Sequence, residues 1–113
     1  MLLKSLHGIR LIGDLYCDYY KRAFCRLFYV LKSTLPLRIL YIDVDLHHGN
    51  GVEAAFYQTS AVLTYSVHKY ESGFYPGTGG LESVGEGKGL GYSVNIPLKS
   101  GASDRTLAQV CEV

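Results

Sequence analysis

Asp43, Asp45 and His47 alternate at the end of the apolar run RILYIDVD. In extended backbone, residues two apart project from the same face, so three ligand-type side chains would converge where this run ends. A carboxylate oxygen and a neutral imidazole suit Zn²⁺, and a catalytic zinc takes three protein ligands while keeping one position for water. The Asp-x-His spacing alone also fits a capping aspartate beside a histidine satisfied by a hydrogen bond. His48 follows His47 directly and must face the other way, which makes it a support for the site rather than a ligand. His68 closes a second apolar run and is expected in a structural hydrogen bond. His7 has no surrounding pattern and is expected to be exposed.

The elements that must hold these residues follow from periodicity. Arg38 to Asp45 is apolar on both parities and rich in β-formers, as suits a buried strand of a parallel sheet. Gly49 and Gly51 break it, Val52 to Tyr57 reads as a short helix, and Ala61 to Val67 reads as a second strand. Strand, helix and strand in that order predict a βαβ unit with a right-handed crossover, hence an α/β sheet with its site beyond the strands' carboxyl ends. The stretch after His68, with glycines at 73, 77, 79, 80, 85, 87, 89 and 91, has no period and reads as a long functional or disordered loop. Tyr92 to Ile96 alternates as a third strand that stops at Pro97. Ser103 is placed to cap a last helix in which Leu107, Val110 and Cys111 share a face. Upstream, Phe24, Leu27, Phe28 and Leu31 predict an amphipathic helix ended before Pro36. Residues 1 to 20 show no clear period and are expected to be irregular or weakly helical.

The chain has 113 residues, 48% of them hydrophobic and 19% charged, with a formal net charge of +1. That composition fits one small globular domain and excludes a disordered tail. Basic and acidic residues are interspersed without a stripe, so no direct nucleic-acid binding is expected. Cys17, Cys25 and Cys111 form no even disulfide set and are expected to be reduced thiols of a cytosolic or nuclear protein. The apolar run from Ala23 to Leu31 is interrupted by Arg26 and too short to span a bilayer, so no membrane association is expected.

The blocks RILYIDVDLHHGNGVEAAFY, SVHKY, GFYPGTG and GKGLGYSVNIPL, in this order and spacing between Arg38 and Leu98, resemble the histone deacetylase family. VEAAFY and FYPGTG are most similar to its class I members. The resemblance implies a three-layer, parallel-sheet arginase–deacetylase fold, present here as a partial domain over 38–113 behind a divergent segment 1–37. It implies that Asp45 and His47 are zinc ligands. It also implies a structural potassium ion held by the Asp43 side chain, the Ser66 hydroxyl and main-chain carbonyls of Asp43, Asp45, His47 and Val67. A second potassium would take carbonyls at Phe56, Thr59, Val62 and Tyr92. Phe74 and Tyr75 would form one wall of an acyl-lysine tunnel, with Tyr75 standing where the family usually has phenylalanine.

The implied activity is zinc-dependent hydrolysis of the acetyl amide of lysine, on acetylated histone tails or other acetyl-lysine proteins, in the nucleus or cytoplasm and with corepressor proteins as partners. Two departures qualify it. Class I members usually carry aspartate where this chain has Asn50, beside one histidine of the catalytic pair; asparagine there is common in class II and acetylpolyamine-type relatives, so an acetylpolyamine amidohydrolase is the rival enzyme. The family's His-His pair, third zinc ligand and carbonyl-polarising tyrosine have no counterpart in these residues. The expected reading is a truncated, fragmentary or degenerate deacetylase, inactive alone, with partner binding as its non-catalytic alternative.

Overall fold

The computed structural model describes residues 4–6, 9–12 and 38–111. Its strands are β1 (Lys4–Leu6), β2 (Ile9–Ile12), β3 (Ile39–Asp43), β4 (Val62–Lys69) and β5 (Ser93–Leu98), joined in that order into one sheet. β1 and β2 are antiparallel, whereas β2, β3, β4 and β5 run parallel. Helix α1 (Asn50–Phe56) connects β3 to β4, and α2 (Asp104–Cys111) follows β5. The βαβ unit expected over residues 38–67 is therefore present.

Burial alternates along the strands as their period of two requires. On one face Ile39 and Val62 pack against Val52 and Phe56 of α1, with Tyr41 and Ala55 at the margin. Each such aliphatic or aromatic side chain contributes about 1.5–3 kcal/mol when fully buried, so this cluster fixes α1 on the sheet. The same face then turns polar toward the strand ends, where Asp43, Thr64, Ser66 and His68 are all buried. On the opposite face Tyr65 Oη donates to the carbonyl of Val110 at 3.4 Å, tying the end of α2 to that side. Helices thus approach both faces, as a layered α/β architecture demands.

Three local expectations change. Residues 4–6 and 9–12 are strands rather than irregular or helical. β2 gains its conformation by pairing along β3, and β1 by pairing with β2, a tertiary effect that leaves no local period. β5 runs through Pro97 to Leu98 instead of stopping at Pro97. The carbonyls of Tyr92 and Leu98 accept from Thr64 and Tyr70, so even-numbered residues of β5 turn their backbone groups to β4. Odd-numbered Pro97 turns its missing N–H away from the ladder, and no bond is lost. Finally, β3 ends at Asp43, and residues 45–47 bend rather than continue the strand.

The glycine-dense loop is folded back on the βαβ unit. Glu86 N donates to the Tyr57 carbonyl at 2.9 Å, and a Cβ at Gly89 would lie 2.2 Å from that same oxygen. Only glycine permits this approach. Ser103 caps α2 as expected, accepting from Thr106 N at its hydroxyl (3.4 Å) and from Leu107 N at its carbonyl (3.0 Å). Leu107 remains 42% exposed, so the face it was expected to share is only partly covered. The predicted helix over 21–35, His7, Cys17 and Cys25 lie outside the described residues. Among the described residues, no helix is long and apolar enough to cross a membrane.

Candidate metal centre and its supporting shell

The bend after β3 is built by the carboxylates themselves. Asp43 Oδ1 accepts from Asp45 N at 3.1 Å, and Asp45 Oδ1 accepts from His47 N at 3.1 Å. Each aspartate closes a turn two residues long, which short acidic side chains favour over continued extension. Convergence therefore arises from successive turns rather than from a straight strand. Asp45 Oδ1 and His47 Nδ1 stand 3.8 Å apart, with the side chains 23% and 43% exposed respectively.

Ligands at zinc distances of about 2.0–2.1 Å around a tetrahedral ion lie roughly 3.4 Å from each other. The pair needs to close by only a few tenths of an ångström to share one ion, and solvent reaches both groups. The residues present fit two positions of a zinc site. Among the described residues, no third histidine, cysteine, aspartate or glutamate joins them.

Asp43 is buried beneath this pair, 3% exposed, and its Oδ2 accepts from Tyr41 Oη at 2.8 Å. Ser66 is its register partner on β4, and Ser66 Oγ accepts from Gly49 N at 3.4 Å. Hard oxygen groups are therefore gathered behind Asp45 and His47, the donor chemistry an alkali ion prefers. The segments carrying Phe56, Thr59, Val62 and Tyr92 also adjoin: Thr59 N donates to the Phe56 carbonyl, and the Tyr92 carbonyl accepts from β4 two residues beyond Val62.

In front of the pair stands an aromatic wall. The His47 ring lies 5.2 Å from Phe74 with 6° between their planes, and Tyr75 meets it edge-on at 5.7 Å. Lys69 Nζ sits over the Phe74 ring, 4.5 Å from its centroid, and bonds Glu71 Oε1 at 2.7 Å. Tyr75 is 65% exposed, so its hydroxyl is met by solvent. A cleft of about 330 Å³ opens beside the site toward α2, bordered by Asp45, Val67, Lys69, Leu98 and Leu107.

His48 points the opposite way and is fully enclosed, as its adjacency to His47 predicted. Its Nε2 bonds Glu53 Oε2 and its Nδ1 bonds Thr78 Oγ1, both at 2.8 Å. Asn95 Nδ2 donates to the same Glu53 oxygen at 2.8 Å and to the Ser83 carbonyl at 3.0 Å. Burial alone would raise the Glu53 pKa, but hydrogen bonds from His48 and Asn95 and the attraction of His48 outweigh it and hold the carboxyl below its ordinary value. His68 is likewise enclosed, and burial pushes its imidazole below the ordinary histidine value despite its bond to Gly79. Asn50 opens α1, its N–H donating to the His48 carbonyl at 2.8 Å.

Glu53, Thr78 and Asn95 were not singled out from the sequence. Asn95 carried a signal, because it shares the inward parity of Ser93 in an otherwise apolar strand. Glu53 and Thr78 carried none beyond their types, since their partner His48 is brought to them by the bend and by the loop.

The sequence profile described as "Histone deacetylase domain" matches residues 26–113. Histone deacetylase 8 of Xenopus tropicalis is 50% identical over 95 residues, covering 80% of this chain and 26% of the relative. Histone deacetylase RPD3 of Saccharomyces cerevisiae is 48% identical over 95 residues, covering 80% and 22%. Histone deacetylase HDAC1 of Drosophila melanogaster is 58% identical over 67 residues, covering 59% and 13%. The chain spans at most about a quarter of the length of these relatives.

Proposed function

The chain belongs to the histone deacetylase family, and on that premise we propose that its protein hydrolyses the acetyl amide of lysine side chains in histones or other proteins. The observation that carries the reading is the Asp45–His47 pair, 3.8 Å apart at a parallel strand's carboxyl end with Phe74 stacked on the imidazole. Asp45 and His47 hold zinc, which when bound supplies a Lewis acid for the amide carbonyl and for water. Asp43, Ser66 and the carbonyls of Asp43, Asp45, His47 and Val67 hold potassium behind it, and the carbonyls of Phe56, Thr59, Val62 and Tyr92 hold a second.

Phe74 and Tyr75 present flat faces beside His47. Such faces grip an aliphatic lysine stem and keep water from the reacting amide. His48 and Asn50 set the chain's direction between the ligands and α1. The proton-transfer histidines, the third zinc ligand and the oxyanion-holding tyrosine of the family have no counterpart among these 113 residues, so they are proposed to be inactive alone. Nuclear or cytoplasmic residence and corepressor partners follow from the same reading.

Asn50 favours one rival, an acetylpolyamine amidohydrolase. The deciding experiment offers the intact protein an acetyl-lysine histone peptide and an N-acetylated polyamine, with zinc measured on the same sample. Release of acetate from the peptide supports the proposal. Turnover of the polyamine alone would replace it with the rival, and turnover of neither by zinc-loaded protein would reject both.

A further inference from the structure

We propose that His48 and His68 are positioning residues, which pin the loop 73–79 from beneath so that Phe74 and Tyr75 stand against His47. Only the kinetic consequence rests on the deacetylase reading; the positioning itself is geometric. The loop is held at two points. At one, Phe74 stacks on the His47 ring and carries Lys69 Nζ 4.5 Å from its centroid. At the other, four and five residues on, Thr78 Oγ1 bonds His48 Nδ1 at 2.8 Å and the Gly79 carbonyl bonds His68 Nε2 at 2.9 Å.

The partners fix which ring nitrogens carry hydrogen. A carbonyl only accepts, so His68 donates from Nε2 to Gly79, and its Nδ1 accepts from Ser66 Oγ at 2.9 Å. Glu53 only accepts as a carboxylate, so His48 donates to it from Nε2 and meets the Thr78 hydroxyl at Nδ1. Both imidazoles are 2% exposed and lie 4.6 Å apart, so each braces the other. The loop backbone rests directly on them: a Cβ at Gly79 would lie 2.4 Å from His68 Nε2 and 2.6 Å from His48 Cγ, and its φ of +90° is one that side chains rarely adopt.

His47 and His48 therefore divide the work across a single peptide bond. One ring faces outward to Phe74, and the other holds the far end of the same loop. Releasing Thr78 or Gly79 leaves the Phe74–Tyr75 end of the loop held by ring contacts with His47, by Lys69 and by the Phe74 N–H bond to the Glu71 carbonyl, with nothing fixing its far end as firmly. The aromatic wall then loses its fixed place relative to Asp45 and His47, which should weaken substrate binding more than the chemical step.

The test uses the intact protein with three variants. Thr78→Val removes the hydroxyl that meets His48 at constant shape, His68→Leu removes both imidazole bonds, and His68→Gln retains a donor for the Gly79 carbonyl. Amide hydrogen exchange is followed for the loop and, separately, for β3 and β4, together with KM and kcat on an acetyl-lysine peptide. Thr78→Val and His68→Leu should speed loop exchange about fivefold or more with the strands unchanged, and His68→Gln should stay close to the unsubstituted protein. KM should rise roughly threefold to tenfold in the first two with a smaller change in kcat. Unchanged loop exchange in Thr78→Val, equal acceleration in loop and strands, or a Gln variant no better than Leu would overturn the inference. If His68→Leu fails to fold, Thr78→Val alone decides. If the unsubstituted protein does not turn over acetyl-lysine, the exchange results still decide the positioning, and the failure belongs to the deacetylase reading.

Discussion

Asp43 faces Ser66 across the β3–β4 ladder, and the backbone returns between them so closely that a Cβ at Gly49 would lie 2.5 Å from Asp43 Oδ2. Gly49 has φ −73°, which any residue adopts, so alanine there meets a steric conflict and no backbone strain. Asp43 cannot swing aside cheaply, because it is buried and bonded to Tyr41 Oη and Asp45 N. Gly49→Ala should cost about 1–3 kcal/mol, as overpacking of a filled site does. Gly51→Ala is the control: nothing lies within 4 Å of its Cβ position inside α1, and it should be neutral or stabilising by up to about 1 kcal/mol. Urea midpoints of the two variants check this, and equal midpoints would show that Asp43 yields freely.

The potassium reading adds a second readout to the same place. If Asp43 and Ser66 hold an alkali ion, potassium should raise the thermal midpoint of the intact protein, and Asp43→Ala should abolish that rise as well as lower the midpoint. A midpoint indifferent both to potassium and to the substitution removes the assignment.

Asp45→Ala and His47→Ala test the zinc reading without reference to turnover. A three-ligand site rarely survives losing one, so elemental analysis of the intact protein should find most zinc gone from either variant. Full zinc content in both would place the metal elsewhere.

Glu53 gives a pH dependence with a definite sign. Its folded pKa lies below the ordinary value of 4.5. Folding then gains stability from its ionised form above the unfolded pKa, and this contribution is lost as pH falls through the folded pKa. Glu53→Gln should therefore be less stable than the unsubstituted protein near neutrality, and the difference should narrow as pH drops below about 4.5. Chemical denaturation at a series of pH values measures it, and a difference that is constant or grows on acidification contradicts the assignment.

Much of this was written in local sequence, and the reasons differ by residue. The run from Arg38 to Asp45, apolar on both parities as a buried strand must be, and the second strand read over Ala61 to Val67 gave the parallel βαβ unit. The pair Asp45 and His47 was found through the same parity. The physical route was nevertheless different, since each aspartate turns the chain by capping an N–H two residues on. His68 was expected to serve structure and does, between Ser66 and Gly79. What stayed hidden depends on distant chain: β1 pairs with β2 and β2 with β3, and Glu53 and Asn95 meet only because α1, packed over β3 and β4, brings Glu53 within reach of β5. The freedom of Pro97 to remain in a strand likewise depends on which side of β5 its missing N–H faces.

The final prediction concerns residues 1–113 expressed by themselves: they should show no measurable lysine deacetylation. On the proposed reading the adjacent histidines they possess cannot replace a proton-transfer pair, because His47 is taken up as a zinc ligand 3.8 Å from Asp45 and His48 is enclosed on Glu53 and Thr78. Acid–base catalysis typically contributes 10²- to 10⁴-fold, and one oxyanion donor about 10²- to 10³-fold, so the proposed absence of both predicts a severe loss even when the losses do not add. Zinc should also bind weakly, since two protein ligands leave the remaining positions to water and a chelator strips such an ion readily. Val44, Leu46, Leu81 and Leu90 are each more than half exposed, at 52, 59, 71 and 64%, which favours self-association of the isolated segment. The assay loads the segment with zinc and potassium and compares it with a full-length relative on an acetyl-lysine peptide, while light scattering reports association. Turnover within about tenfold of the relative, abolished by Asp45→Ala, would mean that the catalytic groups lie within these residues after all.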